Sequence, residues 1–288
     1  MDHIKIQMVK RIKKNKVTHI DCIDGLRSLP TNSVDIIICD PPYNIGKCFG
    51  NNSDKQKFDD YLQWCSLWIS ECIRVLKDNS GTLYIYGFSE ILAYIRTLEV
   101  MDDVTVRWLI WHYTNKVSTP RLNFWQRTHE SILCCYSGSL PVFNRDDVRE
   151  PYTENFLKHN VGKKRQPNKG SRFDQKGTMV SSYKAHAQGA LPRDVIKVPT
   201  LAGGMGRKEG VGHPTQKPIE LCKKLIKASC NKDKHTTIVI PFAGSGSECV
   251  AATELNNKRT NGITFYAFEI NDKYVNMSNR RLKSISSH

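Results

Sequence analysis

Short apolar runs alternate with amphipathic stretches along most of the chain. The runs at 34–39 (VDIIIC) and 237–240 (TIVI) are rich in β-branched residues, which is typical of strands buried on both faces of a parallel sheet. Residues 60–77 instead carry apolar side chains at the three- and four-residue spacing of a helix. Because strands and helices alternate in this way, the pattern predicts a doubly wound, mostly parallel α/β sheet.

The same patterns place the other elements. Strands are predicted at 17–23, 82–86, 106–112, 131–136 and 263–268, the last of them followed by Glu269. Helices are predicted near 25–29 and at 89–98, 215–229, 248–256 and 272–282. No periodicity is sustained between 142 and 212, where Gly, Lys, Arg, Asn and Pro are frequent. Since the α/β pattern resumes afterwards, we interpret 142–212 as an inserted module.

The distribution of charge indicates what this module binds. The formal net charge of the 288-residue chain is +15. Between 155 and 208, basic residues are frequent and the only acidic ones are Asp174 and Asp194. A polyanion is the partner that this charge predicts, although net charge alone would also fit a role in solubility. Residues 1–16 form a second basic stretch, which we expect to be a disordered arm.

Composition indicates a globular protein that is neither secreted nor inserted in a membrane. Hydrophobic residues make up 39% of the chain and charged residues 25%. No run approaches the roughly 18 apolar residues of a membrane span, and the basic N-terminus lacks the apolar core of a signal peptide. The ten cysteines include no Cys-x-x-Cys pair. We therefore expect reduced, structural thiols, no metal site and a cytoplasmic setting.

Candidate chemistry begins where the run at 34–39 stops, at Asp40-Pro41-Pro42-Tyr43. Neither proline offers a backbone N–H, so the strand cannot continue through them. A carboxylate, a carbonyl on a stiff turn and an aromatic ring therefore follow the carboxyl end of a central strand, where open α/β sheets place their chemistry. A turn or helix-capping aspartate is the alternative for Asp40, and the Pro-Pro-Tyr that follows argues against it.

A second motif, Phe242-Ala243-Gly244-Ser245-Gly246, lies between a predicted strand and a predicted helix. Glycines there let the backbone approach a ligand, and a helix N-terminus offers free N–H donors. Glu269 ends the next strand, a position suited to holding two ribose hydroxyls. The glycines alone would fit an ordinary tight turn, but together with Glu269 they favour a nucleoside cofactor.

These motifs resemble the amino-methyltransferases that use S-adenosylmethionine to methylate exocyclic nitrogens of DNA bases. Four stretches carry the resemblance: HIDCIDGLRSLPTNSVDIIICDPPYN (19–44), SECIRVLKDNSGTLYIYG (70–87), HPTQKPIELCKKLIKAS (213–229), and PFAGSG with FYAFEIN (241–246 and 265–271). The Asp-Pro-Pro-Tyr half precedes the glycine half, with the basic insertion between them, which is the order of the family's β class. The resemblance implies a seven-stranded, circularly permuted, Rossmann-like sheet. Its catalytic half would be 1–141, its target-recognition region 142–212 and its cofactor half 213–288.

The resemblance also implies the reaction. A methyl group would pass in line from S-adenosylmethionine to the N6 of an adenine flipped out of duplex DNA. The catalytic residues would be Asp40, Pro41, Pro42 and Tyr43. The Asp40 carboxylate and the Pro41 carbonyl would accept hydrogen bonds from the target amine, and Tyr43 would stack on the base. Double-stranded DNA is thus the expected partner, and it would keep the chain at the nucleoid of a bacterial or phage-infected cell.

The cofactor site follows from the same resemblance. Asp21 and Cys22 would lie at the adenine ring, Glu269 at the ribose, and Phe242, Gly244, Ser245 and Gly246 along the methionine moiety. His213, Thr215, Gln216 and Lys217 would hold the methionine carboxylate, and Asp40 would complete the site. A helix cap remains the alternative for His213, and an ordinary exposed lysine the alternative for Lys217.

One residue departs from the family pattern. The family usually has an acidic residue directly before Pro-Phe, close to the methionine moiety, and this chain has Ile240 there. Either the cofactor binds more weakly, or another polar group takes this place.

Several alternatives stay open at this point. The target could be the N4 of cytosine, although an aspartate at position 40 is more typical of adenine enzymes and a serine of cytosine-N4 enzymes. A non-catalytic DNA-binding protein on the same scaffold is the other alternative. Trp111-His112 and 124–132 either flank the flipped base or belong to the core, and 44–59 is either a closing loop or an ordinary surface loop. Whether a cognate restriction endonuclease exists, and whether the chain forms a homodimer, is not visible in the sequence.

If 142–212 supplies most of the phosphate contacts, the affinity for duplex DNA will fall steeply as salt is added, because each neutralised phosphate releases condensed counterions. Titration of labelled duplex at several salt concentrations measures the slope. A slope close to zero would contradict the prediction.

Overall fold

The computed structural model describes residues 11–47, 49, 54–115, 123–160 and 185–286, with the side chains of 205–207 and 286 excepted. Most of the predicted basic arm, and residues 161–184 of the predicted insertion, lie outside these ranges. The strands of the described residues are β1 Val17–His19, β2 Ile36–Cys39, β3 Thr82–Gly87, β4 Thr105–His112, β5 His129–Tyr136, β6 Val195–Lys197, β7 Thr236–Ile240 and β8 Ile263–Glu269. The α-helices are α1 Cys22–Arg27, α2 Phe58–Val75, α3 Ser89–Arg96, α4 Glu154–Asn160, α5 Gly204–Glu209, α6 Ile219–Ser229, α7 Ser247–Asn256 and α8 Asp272–Ser286.

The strands form one sheet in the order β1-β8-β7-β2-β3-β5-β4-β6. Only β5 runs antiparallel to its neighbours, β3 and β4. The predicted doubly wound, mostly parallel α/β fold is therefore confirmed. The described residues contain eight strands rather than the seven expected, because β6 adds to β4 in parallel. This strand has three residues, which is too short for a hydrophobic pattern to reveal.

The chain divides into two compact units, Met1–Phe143 with Asp194–His288, and Asn144–Arg193. The second unit holds α4 and an isolated bridge between Glu150 and Ala190. It ends earlier than the predicted module 142–212, because β6 pairs within the main sheet and α5 follows it.

The direction of winding reverses between β2 and β7. From β2 the chain runs through α2 to β3 on one side, and from β7 through α7 to β8 on the other. Ile36 pairs with Ile238 of β7 and with Thr82 of β3, so the prediction that the two motif-bearing strands are neighbours is confirmed. The crevice at such a reversal is the usual ligand site of open α/β sheets.

Two predicted element boundaries are wrong, and both matter for the site. The strand predicted at 17–23 ends at His19, because the Asp21 carboxylate accepts a hydrogen bond from the Ile23 N–H (2.8 Å) and begins α1. The helix predicted at 215–229 begins only at Ile219, since Pro218 takes an extended conformation before it. Residues 213–217 therefore precede the helix as a connection that contains a turn at 214–215.

The core lies on both faces of the sheet. Ile36 and Ile38 of β2 pack in the cluster that includes α6 and α7, while Ile37 and Cys39 pack in the cluster with α2. Trp68 of α2 is fully buried in the second cluster. The nine cysteines of the described residues are free thiols, and all but Cys134 are buried. No helix among the described residues is long and apolar enough to cross a membrane.

Gly25 marks a close contact between α1 and β8. A Cβ added there would lie 2.6 Å from the Phe268 ring, so Gly25→Ala should lower the free energy of unfolding by about 1–3 kcal/mol through overpacking. In an open helical position the same change would raise it.

Gly204→Ala in α5 is the control, because a Cβ there meets no atom within 4 Å. Urea unfolding measures both variants. A Gly25→Ala variant as stable as the parent would contradict the close packing of α1 on β8.

Candidate active site

The Asp40–Tyr43 turn leaves the sheet at the carboxyl end of β2. The Pro42 carbonyl accepts a hydrogen bond from the Tyr61 hydroxyl (2.9 Å), which fixes the turn to α2. The Pro41 carbonyl accepts no hydrogen bond from any described residue. Both lone pairs of the Pro41 carbonyl are therefore open to a ligand's hydrogen bond, against one of the Pro42 carbonyl.

Asp40 forms a buried ion pair with Lys217. The Lys217 ammonium donates to both carboxylate oxygens, at 2.7 Å to Oδ1 and 2.8 Å to Oδ2, and its side chain is 3% exposed. Burial alone would lower the pKa of Lys217, but Asp40 and then Glu130 raise it above its ordinary value. Lys217 is thus permanently charged, and its interpretation as an ordinary exposed lysine is wrong.

Glu130 extends this pair into a network. Its Oε2 lies 3.4 Å from the Lys217 Nζ and 3.1 Å from the Tyr43 hydroxyl oxygen, whose single proton has Asp40 as its nearer acceptor. Its Oε1 accepts from the Tyr113 hydroxyl at 2.7 Å. The network joins β2, β5, the end of β4 and the connection before α6. Two carboxylates therefore surround one ammonium, which leaves the cluster with a net negative charge.

The hydrogen bonds made by Asp40 leave one position open for a ligand. Its Oδ1 accepts from both Lys217 and Tyr43, the latter at 2.7 Å, while Oδ2 accepts from Lys217 alone. Because each carboxylate oxygen can accept two hydrogen bonds, one lone pair of Oδ2 remains. Asp40 can therefore still accept one N–H.

The Tyr43 ring lies between this network and Phe88. It is 7% exposed and meets the Phe88 ring edge-on, with centroids 5.2 Å apart at 65°. The Lys217 ammonium lies 5.4 Å from its centroid. Burial, followed by the charge of Asp40, raises the pKa of Tyr43 well above its ordinary value. Its hydroxyl is thus a permanent donor to Asp40.

The glycine motif forms the wall of the site that faces the Asp40–Tyr43 turn. Gly244 and Gly246 have φ angles of +46° and +76°, a region that glycine enters at little cost. Glu269, at the end of β8, accepts from the Gly244 N–H and the Asn271 N–H, both at 2.8 Å. Burial raises the pKa of Glu269 above its ordinary value, against the effect of these backbone donors. The carboxylate therefore braces the turn and faces the cavity.

His213 packs against the same turn. A Cβ on Gly244 would lie 3.1 Å from its Nε2, and its ring meets Tyr274 edge-on at 4.5 Å. Its Nδ1 accepts from the Thr215 N–H at 3.3 Å. Burial, together with the charge of Lys217, lowers the pKa of His213 to about 4, so the ring is neutral at physiological pH. It does not cap α6, whose N-cap is Pro218.

A cavity of about 170 Å³ lies between the two walls. It is lined by the four residues of the predicted catalytic motif and by most of the predicted cofactor residues, which are Asp21, Cys22, His213, Thr215, Lys217, Phe242, Gly244, Ser245 and Glu269. The structure therefore brings residues some 200 positions apart to one site. Gln216 and Gly246 do not line it.

Gln216 and Gly246 instead support the site from outside. The Gln216 side chain accepts from the Val211 N–H at 2.9 Å and donates to the Glu209 carbonyl at 3.0 Å, which holds the segment before it. Gly246 is the N-cap of α7, and a Cβ there would lie 2.9 Å from Ser278 of α8. Packing therefore requires glycine at this position.

Sequence reasoning missed Tyr113 and Glu248, and it included Glu130 only within the range 124–132, which was left open between the flipped base and the core. Glu130 and Tyr113 are separated from Asp40 in sequence, and nothing local marks either one. Glu248 carried a signal, since it is a charged residue in the otherwise apolar run after the glycine motif, and it is 4% exposed. Of the two aromatic residues left open, Trp111 is a core residue and Phe124 is not, with 73% of its surface exposed.

The described part of the loop 44–59 is held in place by Asp54. Its carboxylate accepts from the N–H groups of Asn44 (2.6 Å), Ile45 (3.2 Å) and Lys47 (2.6 Å). Asp54 is 1% exposed and lines the cavity. This part of the loop thus forms a wall of the site.

Comparisons with known proteins connect this site to a family. A family model described as DNA methylase matches residues 34–280. Type II methyltransferase M.HpaI of Haemophilus parainfluenzae is 29% identical over 266 residues, which cover 92% of this chain and 73% of that protein. DNA adenine methyltransferase YhdJ of Escherichia coli is 29% identical over 273 residues, which cover 94% of this chain and 83% of that protein.

Solved structures share the fold at lower identity. The PvuII DNA methyltransferase, which is cytosine-N4-specific, has a TM-score of 0.59 at 13% identity, with 94% of this chain and 93% of that chain covered. The Thermus thermophilus protein TTHA0409, solved with S-adenosylmethionine, has a TM-score of 0.55 at 17% identity, with 93% of each chain covered.

The ion cluster predicts a large stability effect at Lys217. Lys217→Met should lower the free energy of unfolding by about 3–5 kcal/mol, because Asp40 and Glu130 would stay buried without a counter-charge. Lys223→Met on α6 is the matched control, since Lys223 pairs with Glu254 at a partly exposed site, where such pairs contribute about 0–1 kcal/mol. Urea unfolding near neutral pH compares them, and equally small losses would rule out a stabilising role for the buried ammonium.

Proposed function

The chain belongs to the N6/N4 DNA methylase family, and we propose that it transfers a methyl group from S-adenosylmethionine to the exocyclic N6 of an adenine flipped out of duplex DNA. Dependence on S-adenosylmethionine and transfer to an amino group of a DNA base are the shared chemistry of the family. The target base and the roles of single residues are our proposals. They rest on one observation, that Asp40 and Pro41 line the same cavity as Glu269 and the glycine turn.

The cavity residues fit S-adenosylmethionine. Glu269 places carboxylate oxygens at the end of β8, where α/β folds hold ribose hydroxyls. Because Gly244 has no side chain, its backbone atoms themselves form part of the cavity wall. His213 is neutral, so it does not repel the positive charge of a sulfonium. We therefore propose that Asp21 and Cys22 lie at the adenine ring, Glu269 at the ribose, and Phe242, Gly244 and Ser245 along the methionine moiety.

Asp40 and Pro41 would activate the target amine. The lone pair of an exocyclic amine is delocalised into the base, which makes the nitrogen a poor nucleophile. Hydrogen bonds from its two N–H groups to the Asp40 Oδ2 and the Pro41 carbonyl favour a tetrahedral nitrogen, with the lone pair directed away from both acceptors. Each acceptor has a lone pair available for this. S-adenosylmethionine, when bound, would supply the electrophilic methyl group.

Lys217 would determine how Asp40 acts in the proposed reaction. Because the ammonium is bound to Asp40 and Glu130, we propose that it orients Asp40 rather than the methionine carboxylate. The pairing makes Asp40 an acceptor of hydrogen bonds more than a base. This suits the reaction, since the amine becomes acidic only as the new N–C bond forms and its proton can then leave to solvent.

Two facts support adenine over cytosine. The motif begins with aspartate, which resembles adenine enzymes more than cytosine-N4 enzymes, and YhdJ, at 29% identity, is named an adenine methyltransferase. The PvuII enzyme has the same fold and acts on cytosine N4, so N4 transfer is the second candidate. The same two acceptors would serve either amine.

DNA binding would involve the basic insertion. We propose that 142–212 is the target-recognition region, supported by its charge and by the separate unit Asn144–Arg193. Relatives named type II methyltransferases support a role in modification, either beside a restriction endonuclease or as an orphan enzyme.

Methyl transfer from labelled cofactor to duplex DNA tests the proposal. Asp40→Ala should lower the rate by about two to three orders of magnitude, because it removes an acceptor that acts on the reacting nitrogen. Because Asp40→Ala also removes one partner of the buried Lys217, its thermal unfolding is measured and transfer is assayed at a temperature at which the variant is folded. Asp103→Ala, at an exposed position before β4, is the control and should transfer at the parental rate.

Nucleoside digestion of the product identifies the base. N6-methyladenine is expected, and N4-methylcytosine would overturn the choice of base while keeping the mechanism. A parent chain that binds DNA and cofactor but transfers nothing would overturn the enzyme itself.

A further inference from the structure

Glu248 is a buried carboxylate that the proposed reaction does not use. It lies in the first turn of α7, directly after the glycine turn, is 4% exposed and lines the cavity. A carboxylate at such a position is costly unless it is paired. Its retention in an otherwise apolar stretch therefore calls for a partner.

The described residues provide little to pair with it. The Cys222 thiol donates to the Glu248 Oε1 at 3.5 Å, which is a weak hydrogen bond. The Tyr86 hydroxyl of β3, buried nearby, has no hydrogen-bond partner among the described residues. Burial, followed by the charge of Asp40, raises the pKa of Glu248 to about 7. Within the described ranges, Glu248 therefore has one weak donor and no cation of its own.

The charged groups around Glu248 are already engaged. Lys217 is paired with Asp40 and Glu130. Arg281 of α8 donates to the Ser245 carbonyl and the Ser247 hydroxyl and lies 3.7 Å from Glu209. The titratable groups that act on Glu248 are Asp40, Tyr86, Lys217, Cys222, Cys249 and Arg281. Asp21, Asp54 and Glu269 also line the cavity without a cation from the described part of the chain, but their oxygens accept backbone N–H groups of other residues. Of the other described residues, only a thiol donates to Glu248, so it is the cavity carboxylate that would gain most from an added cation.

The position of Glu248 explains the departure at Ile240. Ile240 ends β7, and Glu248 begins α7 after the turn 241–247. Ile240 is fully buried in the core and offers no charge. The two residues thus stand at the two ends of the turn that we propose to lie along the methionine moiety.

We propose that the Glu248 carboxylate binds the α-amino group of the cofactor's methionine moiety, in place of the acidic residue that this chain lacks at position 240. The inference rests on the proposed function, since it takes S-adenosylmethionine as the ligand. It makes Glu248 a cofactor-binding residue supplied by the helix rather than by the strand.

The proposal has a consequence for pH. The ligand's amino group is protonated below about 8, and Glu248 ionises around 7. The ion pair is complete only between these values. Affinity should therefore decrease as the pH falls through 7, because Glu248 takes up a proton, and should decrease again above about 8.

Calorimetric titration of the full chain, without DNA, tests this. Two ligands are compared between pH 6 and 9: S-adenosylmethionine, and 5′-methylthioadenosine, which lacks both the amino acid moiety and the sulfonium charge. The decrease in affinity above pH 8 assigns the contact to the amino group, since a sulfonium does not titrate. Glu248→Gln should weaken S-adenosylmethionine about tenfold or more at pH 7.5 and abolish the loss of affinity below pH 7. Its affinity for 5′-methylthioadenosine should not change.

Glu254→Gln, on the same helix and paired with Lys223, is the control and should bind both ligands as the parent does. The melting temperature of Glu248→Gln without ligand should equal or exceed that of the parent, because a buried charge is removed. Unchanged affinity of Glu248→Gln for S-adenosylmethionine at every pH, or an equal loss for both ligands, would overturn the inference. A parent chain that does not bind S-adenosylmethionine would overturn the proposed function instead.

Discussion

The ion pair between the buried Lys217 ammonium and the Asp40 carboxylate is the interaction on which the site depends. The ammonium binds Asp40, which lies 177 residues earlier in the sequence, and also Glu130. A charge that is 3% exposed is tolerable only when its partners are in place. Assembly of the sheet, which sets β2 between β3 and β7 and carries Glu130 on β5, is therefore coupled to assembly of the Asp40–Tyr43 turn. The same contact orients Asp40 and leaves one of its lone pairs free, so stability and chemistry depend on one ion cluster.

A second constraint comes from the glycine turn and Glu269. Both Glu269 oxygens accept backbone N–H groups, from Gly244 and Asn271. This fixes the carboxylate before any ligand arrives, so little rotamer entropy remains to be lost on binding. His213 closes the same turn from the other side, and Asp54 fixes the loop wall. The cavity is thus largely formed by hydrogen bonds between its own walls.

Sequence reasoning recovered what is local and missed what is distant. Asp40–Tyr43 and Phe242–Gly246 were predictable, because in each case adjacent residues specify both the strand and the turn that follows it. The adjacency of β2 and β7 followed from the logic of an open sheet. Glu130 and Tyr113 were not predictable, because an acidic residue at the start of a strand is ordinary until the sheet places it beside Lys217. The early end of β1 was missed because β-branched residues continue past Asp21, whose side chain captures the Ile23 N–H and turns the chain into α1.

The buried cysteines give the protein a particular chemical character. Cys39, Cys65 and Cys72 lie in one cluster between β2 and α2, and the sulfur atoms of Cys39 and Cys72 are 3.9 Å apart. Burial raises the pKa of Cys39 well above its ordinary value and that of Cys65 to about 12. Since only a thiolate reacts with alkylating reagents, these positions are silent in the closed fold. They become reactive only when α2 separates from the sheet. Their rate of alkylation therefore measures how often α2, which holds the Asp40–Tyr43 turn, opens.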